Sequence, residues 1–271
     1  MLEISDLSYS YSIANQVLGN VNLNLNRGTV CGLLGVNGVG KSTLIYLISG
    51  LLKPQSGEIK MNGYIPYERK VGFLEDVYLV PEEFSLPSIS FKKYVDANSV
   101  FYPKFSYEDL ERYIQMFDLY MEMDLGSLSM GQKKKAFLAF AMACNTSLLL
   151  LDEPTNGLDI SSKRSFRKAI AECMSDDKII LISTHQVYDI DKILDHVIIM
   201  DRQGVLMDSS ISDISSRFKF IFTTDRERAN QAILAFDVPG GYNIVEYLDD
   251  PNEETEVNLE TLFEMVVNRL S

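Results

Sequence analysis

Residues 29–48 read TVCGLLGVNGVGKSTLIYLI, and within them Gly35 to Ser42, GVNGVGKS, has the spacing GxxxxGK[ST]. The apolar run TVCGLLG ahead of it has the composition of a strand covered on both faces. The pattern from Lys41 to about Leu52, closed by Gly50 and Pro54, predicts a helix. A glycine-rich loop between a strand and a helix is the setting in which this spacing carries chemistry. Glycines let successive backbone N–H groups turn inward onto an anion, where a Cβ would stand in the way. The helix beginning at Lys41 aims its positive dipole end at the same point. The Lys41 amine can reach β- and γ-phosphates, and the Ser42 hydroxyl suits a Mg²⁺ ion. A turn that merely capped a helix would explain neither residue. The segment therefore reads as a nucleotide-phosphate site made by Gly35, Val36, Asn37, Gly38, Val39, Gly40, Lys41, Ser42 and Thr43.

Outward from this loop, VNLNLN (21–26) alternates with a period of two, as a half-buried strand does. Two further apolar runs, Ser147 to Leu151 and Lys178 to Ser183, read as buried strands with a helical stretch between them. Strands alternating with helices predict an α/β fold with a mainly parallel sheet, a P-loop NTPase core. HVIIMDRQGVLMD (196–208) reads as a hairpin around Asp201 to Gly204, adding an antiparallel part. From about Phe84 to Thr146 the character is helical and aromatic, and Ser106-x-x-Asp109 resembles a capping box. This stretch reads as a helical insertion into the core. Beyond Ile211 the composition shifts again. Residues 246–271 carry eight acids against Arg269 alone, yet FKFIFT, YNIVEYL and NLETLFEMVVNRL predict a small folded α+β appendage. The expected division is a core over 1–210, with its helical part at about 84–146, and an accessory region over 211–271.

The chain has 271 residues, 46% hydrophobic and 23% charged, with 25 Lys+Arg against 38 Asp+Glu and a formal net charge of −13. That balance argues against nucleic acid as a partner and against adhesion to an anionic lipid surface. Cys31, Cys144 and Cys173 form no CxxC pair and are expected to be reduced, buried thiols of a cytosolic protein. The start, MLEISDLSYSYSIAN, has neither a basic n-region nor an apolar h-region, so no signal peptide is expected. The uncharged stretch from Ala136 to Leu151 falls short of the roughly 18 to 20 residues that span a bilayer. With Asn145-Thr146-Ser147 inside it, it reads as a buried helix followed by a buried strand.

LLLLDE (148–153) sets two acids at the end of an apolar strand, the end where parallel sheets hold ligands. Asp152 suits a Mg²⁺ shell, directly or through water, and Glu153 is placed to polarise the water attacking a γ-phosphate. His185 follows the strand KIILIST and reads as functional for that reason; His196 reads as structural. In LSMGQ (128–132), Ser129-x-x-Gln132 is a second capping box, opening a helix to about Asn145. Gly131 at its start makes a second anion site on the same chain. Lys133 to Lys135 fit a place where negative charge arrives, although Lys134 and Lys135 read better as a solvated face. Phe101, Tyr102, Phe105 and Tyr107 read as the core of the helical insertion, with a docking groove for a partner as the alternative.

GVNGVGKS, LSMGQ, LLLLDEPTNGLD and STH, in that order, closely resemble the motifs of the nucleotide-binding domain of ABC-type ATPases over roughly residues 1–210. The resemblance implies an ATP-hydrolysing subunit with ATP and Mg²⁺ as ligands. It implies a head-to-tail pair of such domains, a separate polytopic permease as partner, and a peripheral place on the cytoplasmic face of the membrane. Carried to matching positions, Ser129, Gly131 and Gln132 contact the γ-phosphate across the pair. Glu153 is the base, His185 aligns water and phosphate, and Asp159 couples the two sites. Tyr11 takes the place of the ring that stacks on adenine, with Tyr9 as competitor and core packing as the plain alternative for either. Where many members carry a Gln that contacts Mg²⁺, the best alignment puts Glu82, with Glu83 beside it; Glu75-Asp76 aligns less well. A Glu there and the NLETLF segment resemble exporter-type members of the drug, bacteriocin and antibiotic efflux kind. The expected function is thus an exporter ATPase, with an importer ATPase or a soluble non-transport ABC ATPase as alternatives.

Overall fold

The computed structural model describes residues 1–12, 15–202, 204–250, 253 and 255–270. Gln203, at the tip of the expected hairpin, and Glu254, in the acidic stretch, lie outside the described residues. In chain order the strands are β1 (Leu2–Ser12), β2 (Asn15–Leu25), β3 (Thr29–Leu34), β4 (Ser56–Met61), β5 (Val77–Val80) and β6 (Leu148–Asp152). They continue with β7 (Ile179–Thr184), β8 (His196–Asp201), β9 (Gly204–Ser210), β10 (Phe218–Thr223), β11 (Leu234–Val238) and β12 (Gly241–Tyr247). The helices are α1 (Lys41–Ile48), α2 (Val71–Leu74), α3 (Phe91–Asn98), α4 (Tyr107–Phe117) and α5 (Met130–Ala143). After them come α6 (Ile160–Cys173), α7 (Ile211–Ser215), α8 (Arg226–Gln231) and α9 (Leu259–Leu270).

The central sheet has the order β5-β6-β7-β3-β8-β9, parallel except for β9, which pairs antiparallel with β8. Successive side chains of a strand point to opposite faces, and here they divide between two cores. Val30, Leu149, Leu151, Ile180 and Ile182 join one apolar cluster, while Cys31, Leu148, Leu150, Ile179 and Leu181 join the other. The second cluster also holds α1 residues Leu44, Leu47 and Ile48 and the inner faces of β1 and β2, so α1 and the antiparallel sheet β2-β1-β4 cover that face. The first cluster holds the buried sides of α4, α5 and α6. Burial on both faces explains why these strands read as unbroken apolar runs.

Between residues 84 and 146 the described elements are the helices α3, α4 and α5 with short 3₁₀ turns. Ser90 and Ser106 cap α3 and α4 as the sequence suggests for the latter. The aromatic residues of this stretch split. Tyr102 and Phe105 pack around Phe140 of α5, whereas Phe101 and Tyr107 are exposed. Helix α1 ends at Ile48, short of the expected Leu52, because Gly50 takes φ +75° and turns the chain.

The last strands form a separate antiparallel sheet, β10-β12-β11. The acids there are partly matched: Glu246 pairs with Arg228 at 2.9 Å, and Glu253 with Lys219 at 2.7 Å. Helix α9 buries Leu259, Leu262, Met265 and Val266 in the same cluster that backs the central sheet. The three cysteines are free and buried. His196 takes its expected structural role, facing Asp208 across the β8–β9 pair at 2.5 Å. No helix of the described residues is long and apolar enough to cross a membrane.

Candidate functional site

Strands β6, β7 and β3 are neighbours and end level, with Asp152 opposite Ser183 and Leu34 opposite Thr184. Their carboxyl ends therefore bring three segments side by side: the loop 35–42, the acids Asp152 and Glu153, and His185. This is the edge at which parallel α/β sheets receive ligands. Distant stretches of sequence meet here because the register of three strands dictates it.

The loop is shaped by its glycines. Gly38 has φ +82° with open space where a Cβ would be, and Gly40 has φ +107° against Val17 and Leu18 of β2. Gly40 is also the N-cap of α1 and provides no side-chain hydrogen bond to it, so the first amides of the helix stay free for an anion. Val36, Asn37 and Gly38 are exposed, while Val39, Gly40, Lys41 and Thr43 are buried. Lys41 folds back along the loop: its amine donates to the carbonyls of Gly35 at 2.7 Å and Val36 at 3.2 Å. It also lies 3.7 Å from Glu153 Oε1. Burial lowers the Lys41 pKa, and Glu153 and then Asp152 oppose that shift.

Asp152 is buried, and its Oδ1 accepts from Ser42 Oγ at 3.1 Å and from the Ser183 hydroxyl. Glu153 has left-handed backbone, φ +45°, and its Oε1 accepts from His185 Nδ1 at 2.8 Å. The other oxygens, Asp152 Oδ2 and Glu153 Oε2, are buried without a protein partner. An acceptor buried in that way is costly unless a ligand meets it. Five expected site residues thus converge: Ser42 on Asp152, and Lys41 and His185 on Glu153. Among the described residues no three His, Cys, Asp or Glu group together as a ready-made metal cage. A cation here would need phosphate oxygens beside the Ser42 hydroxyl and one carboxylate, which is how Mg²⁺ sites at nucleotides are commonly built.

The capping box forms as read: Gln132 N–H donates to Ser129 Oγ at 3.3 Å, and Ser129 N–H to Gln132 Oε1 at 3.1 Å. Gly131 approaches the Gly157 carbonyl so closely that a Cβ would stand 2.9 Å from it. The LSMGQ signature (128–132) and the NGLD segment (156–159) are therefore in contact within one chain. Asp159 is the N-cap of α6, accepting from Ser162 N–H at 2.7 Å and Ser161 Oγ at 2.8 Å. Those bonds, the Ser162 amide first, hold its pKa down to about 2. The solvated-face reading fails for Lys134, which is buried and donates to the Glu153 carbonyl at 3.0 Å. Lys134 points at the turn just after β6 rather than at water, and a run of three lysines has no apolar period to reveal that.

Tyr11 is exposed beside α1, and its hydroxyl lies 3.2 Å from Thr43 Oγ1. Tyr9 is half-buried against the β1–β2 core and stands edge-on to Tyr11 at 5.1 Å. Glu82 reaches the site's rim, accepting from Asn156 Nδ2 at 3.0 Å; Gln186 Nε2 donates to Asn156 Oδ1 at 3.3 Å. Asp76, the less favoured alternative, instead anchors Lys104 and the Ser147 amide at the far end of β6. Sequence reasoning did not single out Ser183, Asn156 or Gln186. Ser183 was visible within the STH stretch; the other two carry no signal of their own.

Comparison with known proteins gives a consistent outcome. Residues 18–156 match the family model described as ABC transporter. The manganese transport system ATP-binding protein of Synechocystis is 32% identical over 213 residues, covering 74% of this chain and 81% of the relative. The zinc uptake system ATP-binding protein of Listeria innocua is 29% identical over 227 residues, covering 78% and 86%. Among solved structures, the ATP-binding subunit of an ABC transporter superposes with a TM-score of 0.71 at 28% identity, covering 79% of this chain and 91% of that one.

Proposed function

We propose a transport role from one premise: this chain belongs to the ABC transporter family and is an ATP-binding, ATP-hydrolysing member of it. In our reading it energises import through a separate, polytopic permease. One observation supports the chemistry above all others, the meeting of Lys41, Asp152, Glu153 and His185 at the ends of three adjacent strands. We assign the residues of the loop 35–43 to the phosphates, Glu153 to water activation, and His185 to its alignment. The Ser42 hydroxyl and Asp152 would hold Mg²⁺, with Glu82 at the rim, and the ion would neutralise phosphate charge. Tyr11, more open than Tyr9, is the ring for adenine.

Uptake is preferred to the export expected from Glu82 and NLETLF. The relatives of manganese transport and zinc uptake share most of their length with this chain, whereas those two features are short and unspecific. We further propose a head-to-tail pair, in which Ser129, Gly131 and Gln132 of one copy meet the γ-phosphate held by the other, and Asp159 links the two sites. Ile160, 89% exposed next to Asp159, and Met130 beside the signature are apolar side chains that such a pairing would cover. Residues 1–210 would form the nucleotide-binding part and 211–271 an accessory part. The permease would hold the chain at the cytoplasmic face.

A groove of about 730 Å³ offers that permease a seat. It is lined by Leu51, Val71, Val100 and Phe101, all exposed, with Tyr78 and Phe137 at its base. Charge placed there should cost docking without touching ATP. Phe101→Asp is expected to reduce permease recovered with the chain from gently solubilised membranes by about tenfold or more, as for loss of an interfacial aromatic anchor. Its ATP affinity should stay unchanged. Co-purification with a polytopic membrane protein at equal stoichiometry tests the whole proposal; recovery only with soluble partners refutes it.

A further inference from the structure

Lys134 has no role in the chemistry described so far, yet it is only 2% exposed. Its amine donates to the Glu153 carbonyl at 3.0 Å. That carbonyl belongs to a residue with φ +45°, a conformation side-chain-bearing residues avoid unless their surroundings impose it. On the other side, the Glu153 N–H is held by Ser183, through its carbonyl oxygen at 3.1 Å and its hydroxyl at 3.2 Å. The Glu153 carbonyl also receives the Asn156 N–H at 3.3 Å, and the Asn156 side chain donates to Glu82. The peptide groups around the acid are thus gripped by β7 from one direction and by the signature helix α5 from the other.

We propose that Lys134 is a positioning residue for ATP hydrolysis: it locks the Glu153 carbonyl, so that the carboxylate keeps its aim toward His185, and it ties that aim to the seating of the signature helix. The inference rests on reading Glu153 as the base. Packing alone does not call for an ammonium here. The α5 residues that follow, Ala136, Leu138, Ala139 and Phe140, are buried and apolar, and a methionine would fill similar volume without a desolvated charge. The bond to a carbonyl in a strained turn is what the charge supplies. Burial lowers the Lys134 pKa, and the charges of Glu82, Glu153 and Asp152, in that order, oppose the shift. The same link gives α5 a mechanical route to the acid on its own chain, since a shift of the helix pulls on the Glu153 peptide.

The test compares Lys134→Met, Lys134→Gln and Glu153→Gln in the full chain, by steady-state ATPase kinetics and by binding of a fluorescent ATP analogue. Lys134→Met is expected to lower kcat about 10- to 100-fold while KM and analogue affinity stay within about twofold, the signature of a loss felt mainly in the transition state. Lys134→Gln, which retains a donor, should recover kcat to within about fivefold of the unaltered chain. A methionine variant that keeps kcat within twofold, or loses kcat and affinity in parallel, overturns the proposal. If thermal melting shows that the methionine variant does not fold, the glutamine variant decides. A kcat within about fivefold at unchanged KM then supports the proposal, and a larger fall overturns it. Full turnover by Glu153→Gln would instead remove the base assignment itself, a failure separable from that of Lys134.

Discussion

Glu153→Gln is expected to bind ATP as the unaltered chain does and to hydrolyse it at least about 1,000-fold more slowly, within the range that a general base contributes. That factor corresponds to about 4 kcal/mol of transition-state stabilisation. The change is close to isosteric. The amide oxygen can still accept from His185 Nδ1, and the backbone bonds to Ser183 and Lys134 do not involve the side chain. What is lost is the ability to take a proton from water and the negative charge 3.7 Å from Lys41. ATP that binds but is not consumed should accumulate with the paired form of the chain. Single-turnover hydrolysis and sedimentation with ATP present measure both effects together. Turnover within tenfold of the unaltered chain would mean that another group activates the water.

Lys41→Met should act one step earlier and weaken ATP binding by about 100-fold or more, close to 3 kcal/mol, the scale of a buried charge-assisted interaction. Its amine is the positive group between the loop and the two acids, and burial has already stripped it of water. With methionine there, β- and γ-phosphates would face Asp152 and Glu153 with no cation from this loop, so repulsion adds to the lost attraction. Titration with a fluorescent ATP analogue reads the change directly. Affinity within twofold of the unaltered chain would show that the nucleotide is held elsewhere. The two substitutions separate binding from chemistry at residues 3.7 Å apart.

The elements legible in the sequence are those whose determinants are local. The loop 35–42, the buried strands β3, β6 and β7 and the Ser106 and Ser129 caps each depend on neighbours a few residues away. β1 and β5 were not legible. β1 carries Asp6 with φ +50° and several register shifts against β2 that break its alternation, and β5 has only four residues. Site residues followed the same divide. Lys41, Asp152, Glu153 and His185 sit in recognisable stretches, but Lys134 gained its partner only from the way the start of α5 meets the turn after β6. Asn156 and Gln186 met through two turns whose approach no spacing encodes. The exposure of Phe101 beside the partial burial of Phe105, four residues on, likewise depended on how the helices settled.

The seating of α9 bears on how the chain can be shortened. Leu259, Leu262, Met265 and Val266 share one apolar cluster with strands of the central sheet. A chain cut short near residue 210 would therefore present the back of its ATPase core to water as a sticky surface, and would be expected to clump rather than work faster or slower. Lower turnover after such a cut would report damage, not the removal of a brake. Control by this end of the protein is better sought with single changes at its exposed rings, Phe222 and Tyr247, which leave the shared core intact.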